Sequence, residues 1–186
     1  DSNVAIGENV IVKGQVEIGA GSVIFDNVVI YGPTKIGRQA VIKSGTVIGQ
    51  QGFNFEIDEN GDLLPFIHFG EVIIGNNVEL GALNTVVRGT LSSTIVEDDV
   101  KTDDHVHIAH NVKIGKGSRL TASTMIAGSV NIGRYSWLGP NCSIIDHVSL
   151  GSNTLVGIGS VVTKSFDSDL VIAGNPARIL RKNEKK

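Results

Sequence analysis

An aliphatic residue returns at every sixth position along most of this sequence. The repeated positions are Ile6, Val12, Ile18, Ile24, Ile30, Ile36, Ile42, Ile48, Ile74, Leu80, Val86, Val96, Thr102, Ile108, Ile114, Leu120, Ile126, Ile132, Leu138, Ile144, Leu150, Val156 and Val162. A period of six fits neither the turn of an α-helix, about 3.6 residues, nor the alternation of a single strand, but it suits short parallel strands joined by tight corners. The pattern predicts an all-β solenoid with stacked aliphatic residues inside, in which only Thr102 is out of place.

Glycine and the scarcity of aromatic residues support this prediction. Glycine follows many of the repeated residues, as at Gly19, Gly115 and Gly133, which we interpret as corners that need open backbone conformations. The 186 residues include 23 glycines and only 5% aromatic residues, a balance that disfavours a helical bundle. The length is enough for one core but short for two ordinary domains, so a single domain is expected.

Charge and cysteine content narrow the possible functions. The formal net charge is -3 and the pI about 5.9, so no basic field favours binding to nucleic acid. Cys142 is the only cysteine, which excludes an intrachain disulfide and fits a reducing cytoplasm. No apolar run is long enough to span a bilayer. The chain begins at Asp1 and not at Met, which leaves open that further residues precede it.

Two interruptions of the repeat are candidates for function. The first is a long inserted loop, residues 50–71, which contains four of the six phenylalanines: Phe53, Phe55, Phe66 and Phe69. Long loops in compact domains are commonly functional, so these aromatic side chains could cover a ligand or a neighbouring subunit, or they could anchor the loop. The second interruption, residues 88–95, precedes a polar coil, residues 97–111, with three of the five histidines and four aspartates.

The polar coil has the residues that acyl transfer to an amine requires. Such a reaction needs a base with a pKa near neutrality and hydrogen-bond donors for the oxyanion. His110 could be the base, and a coil of about eighteen residues would stack the backbone N–H of Gly128 directly above it as the oxyanion donor. Asp103 or Asp104 could orient His110 by accepting a hydrogen bond from its second ring nitrogen, although solvation explains these aspartates nearly as well.

Several strings in the chain resemble the hexapeptide-repeat acyltransferases, in particular the UDP-3-O-acylglucosamine N-acyltransferase family of lipid A biosynthesis. The similarity covers roughly residues 1–165. It rests on Ile108-Ala109-His110-Asn111, Ile126-Ala127-Gly128-Ser129, Ile145-Asp146-His147, Gly52-Phe53-Asn54-Phe55 and Arg88-Gly89-Thr90-Leu91. The resemblance implies a left-handed parallel β-helix of about seven to eight coils and a homotrimer with active sites between neighbouring helices.

The same resemblance assigns roles to individual residues. It implies that His110 is the general base, that the Gly128 N–H is the oxyanion donor and that His147 is an auxiliary histidine. It also makes three residues candidates for substrate contacts: Phe53, Phe55 and Asn111. Nothing in it implies a permanently bound cofactor or a metal.

The C-terminal residues depart from this family. The predicted β-helix domain, residues 1–165, is followed by a predicted short cap and basic tail, residues 166–186, which end in Lys185-Lys186. This ending resembles acetyltransferases that use acetyl-coenzyme A, and it makes three cations candidates for coenzyme A phosphates: Arg178, Arg181 and Lys182. The expected cosubstrate is therefore a coenzyme A thioester or an acyl carrier protein. Other departures are the lack of the family's N-terminal nucleotide-binding domain, Val87 in place of Asp, and Asp103-Asp104 in place of Asp-Asn.

Two other classes remain open from the sequence. A zinc enzyme resembling the γ-class carbonic anhydrases would use His105 and His110, which are five residues apart, with His68 as a third ligand. A non-catalytic β-helix would leave the histidine cluster without a role. The sequence favours a cytoplasmic N-acyltransferase that acts on the amine of a nucleotide-linked amino sugar, in lipid A or surface-polysaccharide biosynthesis.

Overall fold

The computed structural model describes residues 1–184, which form strands and turns without a helix. Three sheets make up the faces of a prism. Sheet A contains β1 (Ala5–Ile6), β4 (Val23–Ile24), β7 (Val41–Ile42), β12 (Glu79–Leu80), β15 (Lys101–Thr102), β18 (Arg119–Leu120), β21 (Trp137–Leu138), β24 (Leu155–Val156), β26 (Leu170–Gly174) and β27 (Ala177–Lys182).

Sheets B and C complete the prism. Sheet B contains β2 (Ile11–Lys13), β5 (Val29–Tyr31), β8 (Val47–Gln50), β13 (Thr85–Val87), β16 (His107–Ile108), β19 (Met125–Ile126), β22 (Ser143–Ile144) and β25 (Val161–Val162). Sheet C contains β3 (Val16–Ile18), β6 (Thr34–Ile36), β11 (Val72–Ile74), β14 (Thr94–Val96), β17 (Lys113–Ile114), β20 (Asn131–Ile132) and β23 (Ser149–Leu150). Because the chain visits sheets A, B and C in turn, three strands make one turn of a parallel β-solenoid, as predicted.

The repeated aliphatic residues form the core. Ile42, Leu120 and Ile126 are among the fully buried side chains, each stacked on its equivalents in the turns above and below. Burying such a side chain contributes about 1.5–3 kcal/mol to folding. Thr102 is also buried, and its hydroxyl oxygen accepts hydrogen bonds from the Gly81 N–H and from the side-chain amide of Asn84. The single polar member of the repeat is therefore satisfied inside the core.

The corners differ from the prediction in one respect. A Cβ atom on Gly19 would lie 2.5 Å from the carbonyl carbon of Gly37, and one on Gly133 would lie 2.3 Å from the nitrogen of Ser152. These glycines do not have a positive φ; the left-handed conformation belongs to the third residue of the corner, as at Asn77 (φ 54). Our explanation of the glycines by backbone freedom is therefore wrong: they allow the next turn to pack closely.

Both interruptions of the repeat leave the prism at one edge, which we call the B–C corner because it links each strand of sheet B to the next strand of sheet C. The corners from A to B and from C to A have four residues throughout the solenoid. The B–C corner instead carries residues 51–71 and 88–93 as insertions. The first insertion contains an antiparallel hairpin of β9 (Phe55–Ile57) and β10 (Leu63–Pro65).

The last residues of the chain add a level to sheet A. Strand β26 pairs in parallel with β24, and β27 turns back antiparallel along β26. Sheet A therefore has nine parallel strands. The solenoid has about nine turns, more than the seven to eight predicted, because β26 lies outside the six-residue repeat. The division into 1–165 and 166–186 stays a prediction. No helix in residues 1–184 is long and apolar enough to cross a membrane.

Candidate active site

His110 lies at the B–C corner, where the sequence turns from β16 toward β17. Its ring atom Nδ1 is 2.9 Å from Oδ1 of Asn111. The same oxygen accepts hydrogen bonds from the backbone N–H of Thr90 (3.2 Å) and from its hydroxyl (2.8 Å). The Asn111 amide nitrogen donates to the hydroxyl of Ser92 at 2.6 Å. These partners orient the amide, so that its oxygen faces His110.

This orientation determines the tautomer of His110. An amide oxygen only accepts hydrogen bonds, so Nδ1 of His110 must carry the hydrogen and donate it to Asn111. The other ring nitrogen, Nε2, then has a free lone pair. A neutral imidazole held in this state can accept a proton at Nε2, which is what a general base requires.

Gly128 covers the ring of His110 from the next turn of the solenoid. A Cβ atom on Gly128 would lie 2.5 Å from Cε1 and 2.7 Å from Nε2 of His110, so no larger residue fits without moving the ring. The backbone ties the two corners together, since the Ser129 N–H donates to the carbonyl of His110 at 2.9 Å. Within residues 1–184 the Gly128 N–H has no hydrogen-bond acceptor. His110 and Gly128 are therefore brought together as the eighteen-residue coil predicts.

A groove of about 380 Å³ runs beside His110 along the outer face of sheet B. The start of the inserted loop forms one wall and the strands of sheet B form the floor. Its lining is Gln50, Gln51, Gly52, Phe53, Thr85, Val87, His107, Ala109, His110, Ala127 and Gly128. The groove is lined by apolar residues and a few polar groups, as expected of a small-molecule site.

Two histidines to which the sequence assigned no place in an acyl-transfer site adjoin His110. His107 lies in the groove, and burial lowers its pKa. A two-residue strand with Ile108 inside must direct His107 outward, so the repeat itself could have revealed this position. His68 is 2% exposed, and its ring lies 5.4 Å from the ring of His110, edge to face. No periodicity extends into the inserted loop, so the sequence had no signal for this contact.

The predicted aromatic and auxiliary residues are only partly in the groove. Phe53 lines it, and its ring packs edge to face against Phe55 at 5.0 Å. Phe53 is 89% exposed, so it forms an open wall and not a buried anchor. His147 lies on the same corner one level above Gly128, whose carbonyl accepts its N–H at 3.0 Å. The His147 ring is exposed beside Asp146 and does not line the groove.

The aspartates predicted to orient His110 lie elsewhere. Asp103 and Asp104 are in the corner from A to B, and Asp104 accepts a hydrogen bond from the Ala82 N–H at 2.7 Å. The hydrogen-bond partner of His110 Nδ1 is Asn111 instead. His105 lies at that same A-to-B corner, so the two histidines of the zinc alternative occupy different edges of the prism. In the part of the chain that the structure describes, no three His, Cys, Asp or Glu residues form a metal-ligand group.

The predicted phosphate-binding cations are separate from the groove of His110. Arg178, Arg181 and Lys182 lie on β27 of sheet A. Arg178 donates to the carbonyl of Ala177 and Arg181 to that of Lys182, each at 3.0 Å. Arg181 lines a different groove, together with Trp137. Lys185 and Lys186 lie outside the described residues.

Comparisons with known proteins agree with the fold. The family model for the bacterial transferase hexapeptide (six repeats) matches residues 16–50. A solved structure of UDP-N-acetylglucosamine O-acyltransferase from Moraxella catarrhalis is 21% identical, with a TM-score of 0.81, and the match covers 99% of this chain and 74% of that chain. That likeness shows the fold. Residues 16–50 thus carry the hexapeptide repeat of bacterial transferases, and the sequence relatives and solved structures that the chain resembles are named as acyltransferases.

Within this class, the sequence relatives have a common name. A probable UDP-3-O-acylglucosamine N-acyltransferase 2, mitochondrial, of Arabidopsis thaliana is 42% identical over 134 residues, which are 72% of this chain and 44% of that protein. UDP-3-O-acylglucosamine N-acyltransferase 2 of Legionella pneumophila is 49% identical over 92 residues, or 49% of this chain and 26% of that protein. The chain thus spans less than half the length of these curated relatives.

Proposed function

We propose that this chain transfers an acyl group from a thioester to the amine of a nucleotide-linked amino sugar, in lipid A or surface-polysaccharide biosynthesis. The observation that carries the proposal is the hydrogen bond from His110 Nδ1 to Asn111, which leaves a lone pair on Nε2 under Gly128. The names of the sequence relatives support N-acylation of a UDP-linked acylglucosamine as the class of reaction. A nucleotide sugar with a free amine is the acceptor that this class implies.

The proposed reaction proceeds by addition and elimination at the thioester carbonyl. The amine nitrogen attacks the carbonyl carbon, a C–N bond forms, and the carbonyl oxygen becomes an oxyanion that accepts a hydrogen bond from the Gly128 N–H. Nε2 of His110 takes the proton from the amine nitrogen. The C–S bond then breaks, and His110 gives the proton to the departing thiolate, which leaves as a thiol. His147 has an auxiliary role in this proposal.

The donor and the assembly are also part of the proposal. The thioester comes from a coenzyme A derivative or from an acyl carrier protein, and no permanently bound cofactor takes part. The proposed substrate contacts are Phe53, which lines the groove, and Phe55 and Asn111, which lie next to Phe53 and His110. The three cations of β27 lie on sheet A and so cannot serve the groove of their own chain: Arg178, Arg181 and Lys182. In the proposed trimer they bind the phosphates of coenzyme A at the groove of a neighbouring subunit. The proposal thus includes a homotrimer in the cytoplasm.

A substrate screen with one matched pair of variants tests this function. The protein is incubated with UDP- and dTDP-linked amino sugars, with short and long acyl-coenzyme A donors and with acyl carrier protein thioesters. We expect His110→Ala to reduce kcat by roughly 10²–10⁴-fold, the usual contribution of a general base. His105→Asn is the control, because His105 has a positive φ that Asn tolerates and lies at another corner. Full activity of His110→Ala refutes the assigned base.

A further inference from the structure

His68 is a buried histidine at the far end of the inserted loop, and the proposed reaction does not use it. Its backbone N–H donates to the side-chain oxygen of Gln51 at 2.6 Å, which joins the two ends of the loop. Its Nδ1 atom is 3.1 Å from the carbonyl oxygen of Phe66. Since a carbonyl only accepts, Nδ1 carries the hydrogen and Nε2 has the lone pair.

That lone pair has no partner. Among the described residues, Nε2 of His68 is a buried side-chain nitrogen without a hydrogen bond. Gly52 closes over it, because a Cβ atom on Gly52 would lie 2.9 Å from both Nε2 of His68 and Cγ1 of Val87. A buried polar atom without a partner opposes folding. A phenylalanine ring could fill the same space without that penalty.

The surroundings of His68 disfavour the charged form of its ring. Burial, together with the nearby titratable ring of His110 and the charge of Arg88, holds the pKa of His68 below its ordinary value. The hydrogen bond from Nδ1 to Phe66 sets the rotation of the ring. In that rotation the ring packs edge to face on His110, with an interplanar angle of 61°.

We propose that His68 is a positioning residue for His110. Asn111 holds the imidazole of His110 by its Nδ1 hydrogen, and His68 holds the same ring from the side of the inserted loop. The two contacts together fix the direction in which Nε2 of His110 points. The inserted loop therefore acts on the reaction by aligning the base as well as by lining the groove with Phe53. This inference rests on the proposed function for its kinetic part only.

Two variants of similar size separate the role of the ring from that of space filling. His68→Leu fills the site without an aromatic ring, whereas His68→Phe keeps the ring and removes both nitrogens. Histidine ¹⁵N spectra of the ligand-free protein report the tautomer of His110 in each variant, with His105→Asn as the control. We expect one tautomer, with hydrogen on Nδ1, in the wild type and in His68→Phe. We expect a mixture of tautomers in His68→Leu, because a ring that His68 no longer holds can rotate out of its hydrogen bond with Asn111.

Kinetics provide the second measurement. We expect His68→Leu to lower kcat by roughly tenfold to a hundredfold with KM nearly unchanged, since a misaligned base slows the chemical step and leaves binding intact. His68→Phe should recover most of kcat. An unchanged kcat in His68→Leu, or an equal loss in both variants, overturns the positioning role. If no donor and acceptor react at all, the proposed function fails, while the tautomer of His110 still decides the role of His68.

Discussion

Along the edge that links sheet C to sheet A, four residues separate each pair of strands, and Gly115, Gly133 and Gly151 stack with no room for a side chain. Along the B–C corner the number of connecting residues varies from turn to turn: two at positions 32–33, four at 109–112 and a whole hairpin in residues 51–71. The strand pairing in sheet B is regular up to the insertion, and the register between β8 and β13 shifts only after Val86, where Val87 pairs with Gln50. Val47 of β8 still pairs with Thr85 of β13, although the inserted loop lies between them.

The comparison shows where a solenoid can acquire chemistry. At the C-to-A corner the backbone of each turn packs directly against the backbone of the next, so no side chain fits at the stacked glycines. At the B–C corner the neighbour of Gly128 is the side chain of His110 and not a backbone atom. An edge whose corners vary in length can carry side chains, loops and a groove without disturbing the core.

Replacing one glycine at each corner tests this contrast and has the largest expected effect. Gly128→Ala places a methyl group against the ring of His110, and displacing a base by about an ångström can lower kcat roughly a hundredfold. Gly133→Ala places the methyl group 2.3 Å from the backbone nitrogen of Ser152, so it should lower the free energy of unfolding by about 1–3 kcal/mol instead. Urea denaturation and acyl-transfer rates, measured on both variants, show which variant loses stability and which loses activity. The contrast fails if Gly128→Ala loses stability and keeps full activity.

Asparagines in the left-handed conformation permit a second, smaller comparison. Asn111 at the B–C corner has φ 61 and Asn141 at an A-to-B corner has φ 55, so glycine fits either backbone. Asn111→Gly removes the hydrogen bond that sets the tautomer of His110, and we expect roughly a tenfold loss of kcat, equivalent to about 1.4 kcal/mol. Asn141→Gly should leave the rate unchanged. Equal rates in the two variants would mean that Asn111 does not orient the base.

The repeat explains how much of this site could be predicted. Equivalent corner positions recur every eighteen residues, so the pairing of His110 with Gly128 followed from arithmetic. The same spacing argues against Asp104 as the residue that orients His110. Asp104 precedes His110 by six residues, so it lies at the preceding corner of the same turn. The aspartate prediction relied on proximity in sequence and overlooked this rule.

The repeat could not predict the contact of His68 with His110 or the hydrogen bonds of Asn111. His68 reaches His110 only because the inserted loop folds back through the bond from His68 N–H to Gln51 and the hairpin pairing of Phe55 with Pro65. These contacts depend on the course of a loop without periodicity. Asn111 was identified as a substrate contact by resemblance, but its role toward His110 depends on its hydrogen bonds to Thr90 and Ser92, which belong to the second insertion.

The buried His68 and the half-buried His107, both beside the B–C corner, predict a dependence of stability on pH. Burial lowers the pKa of His68 and of His107 in the folded state, below the ordinary value of about 6.5 in the unfolded chain. The unfolded state therefore binds more protons at acidic pH, so this stability is present above about pH 6.5 and decreases as the pH falls toward the folded-state values. The free energy of unfolding, measured by urea denaturation, should differ less between about pH 7.5 and pH 5 in His68→Phe than in the wild type. An equal difference in both proteins would place the titrating groups elsewhere.

The smallest effect is expected at a regular corner. Lys43, in a corner from A to B, forms an ion pair of 2.7 Å with Glu79, and the two side chains are 44% and 35% exposed. The hydrogen bond to Glu79 raises the pKa of Lys43, so the pair stabilises the fold below the ordinary lysine pKa and loses this effect only as the pH rises through the raised value. Because solvent screens exposed charges, a double-mutant cycle of Lys43→Met and Glu79→Gln should give a coupling of about 0.2–1 kcal/mol that decreases with added salt. Acyl transfer should not change in either variant. A larger coupling energy would show that ion pairs at the regular corners are important for stability, and a loss of acyl transfer would show that these corners affect the site at the B–C corner.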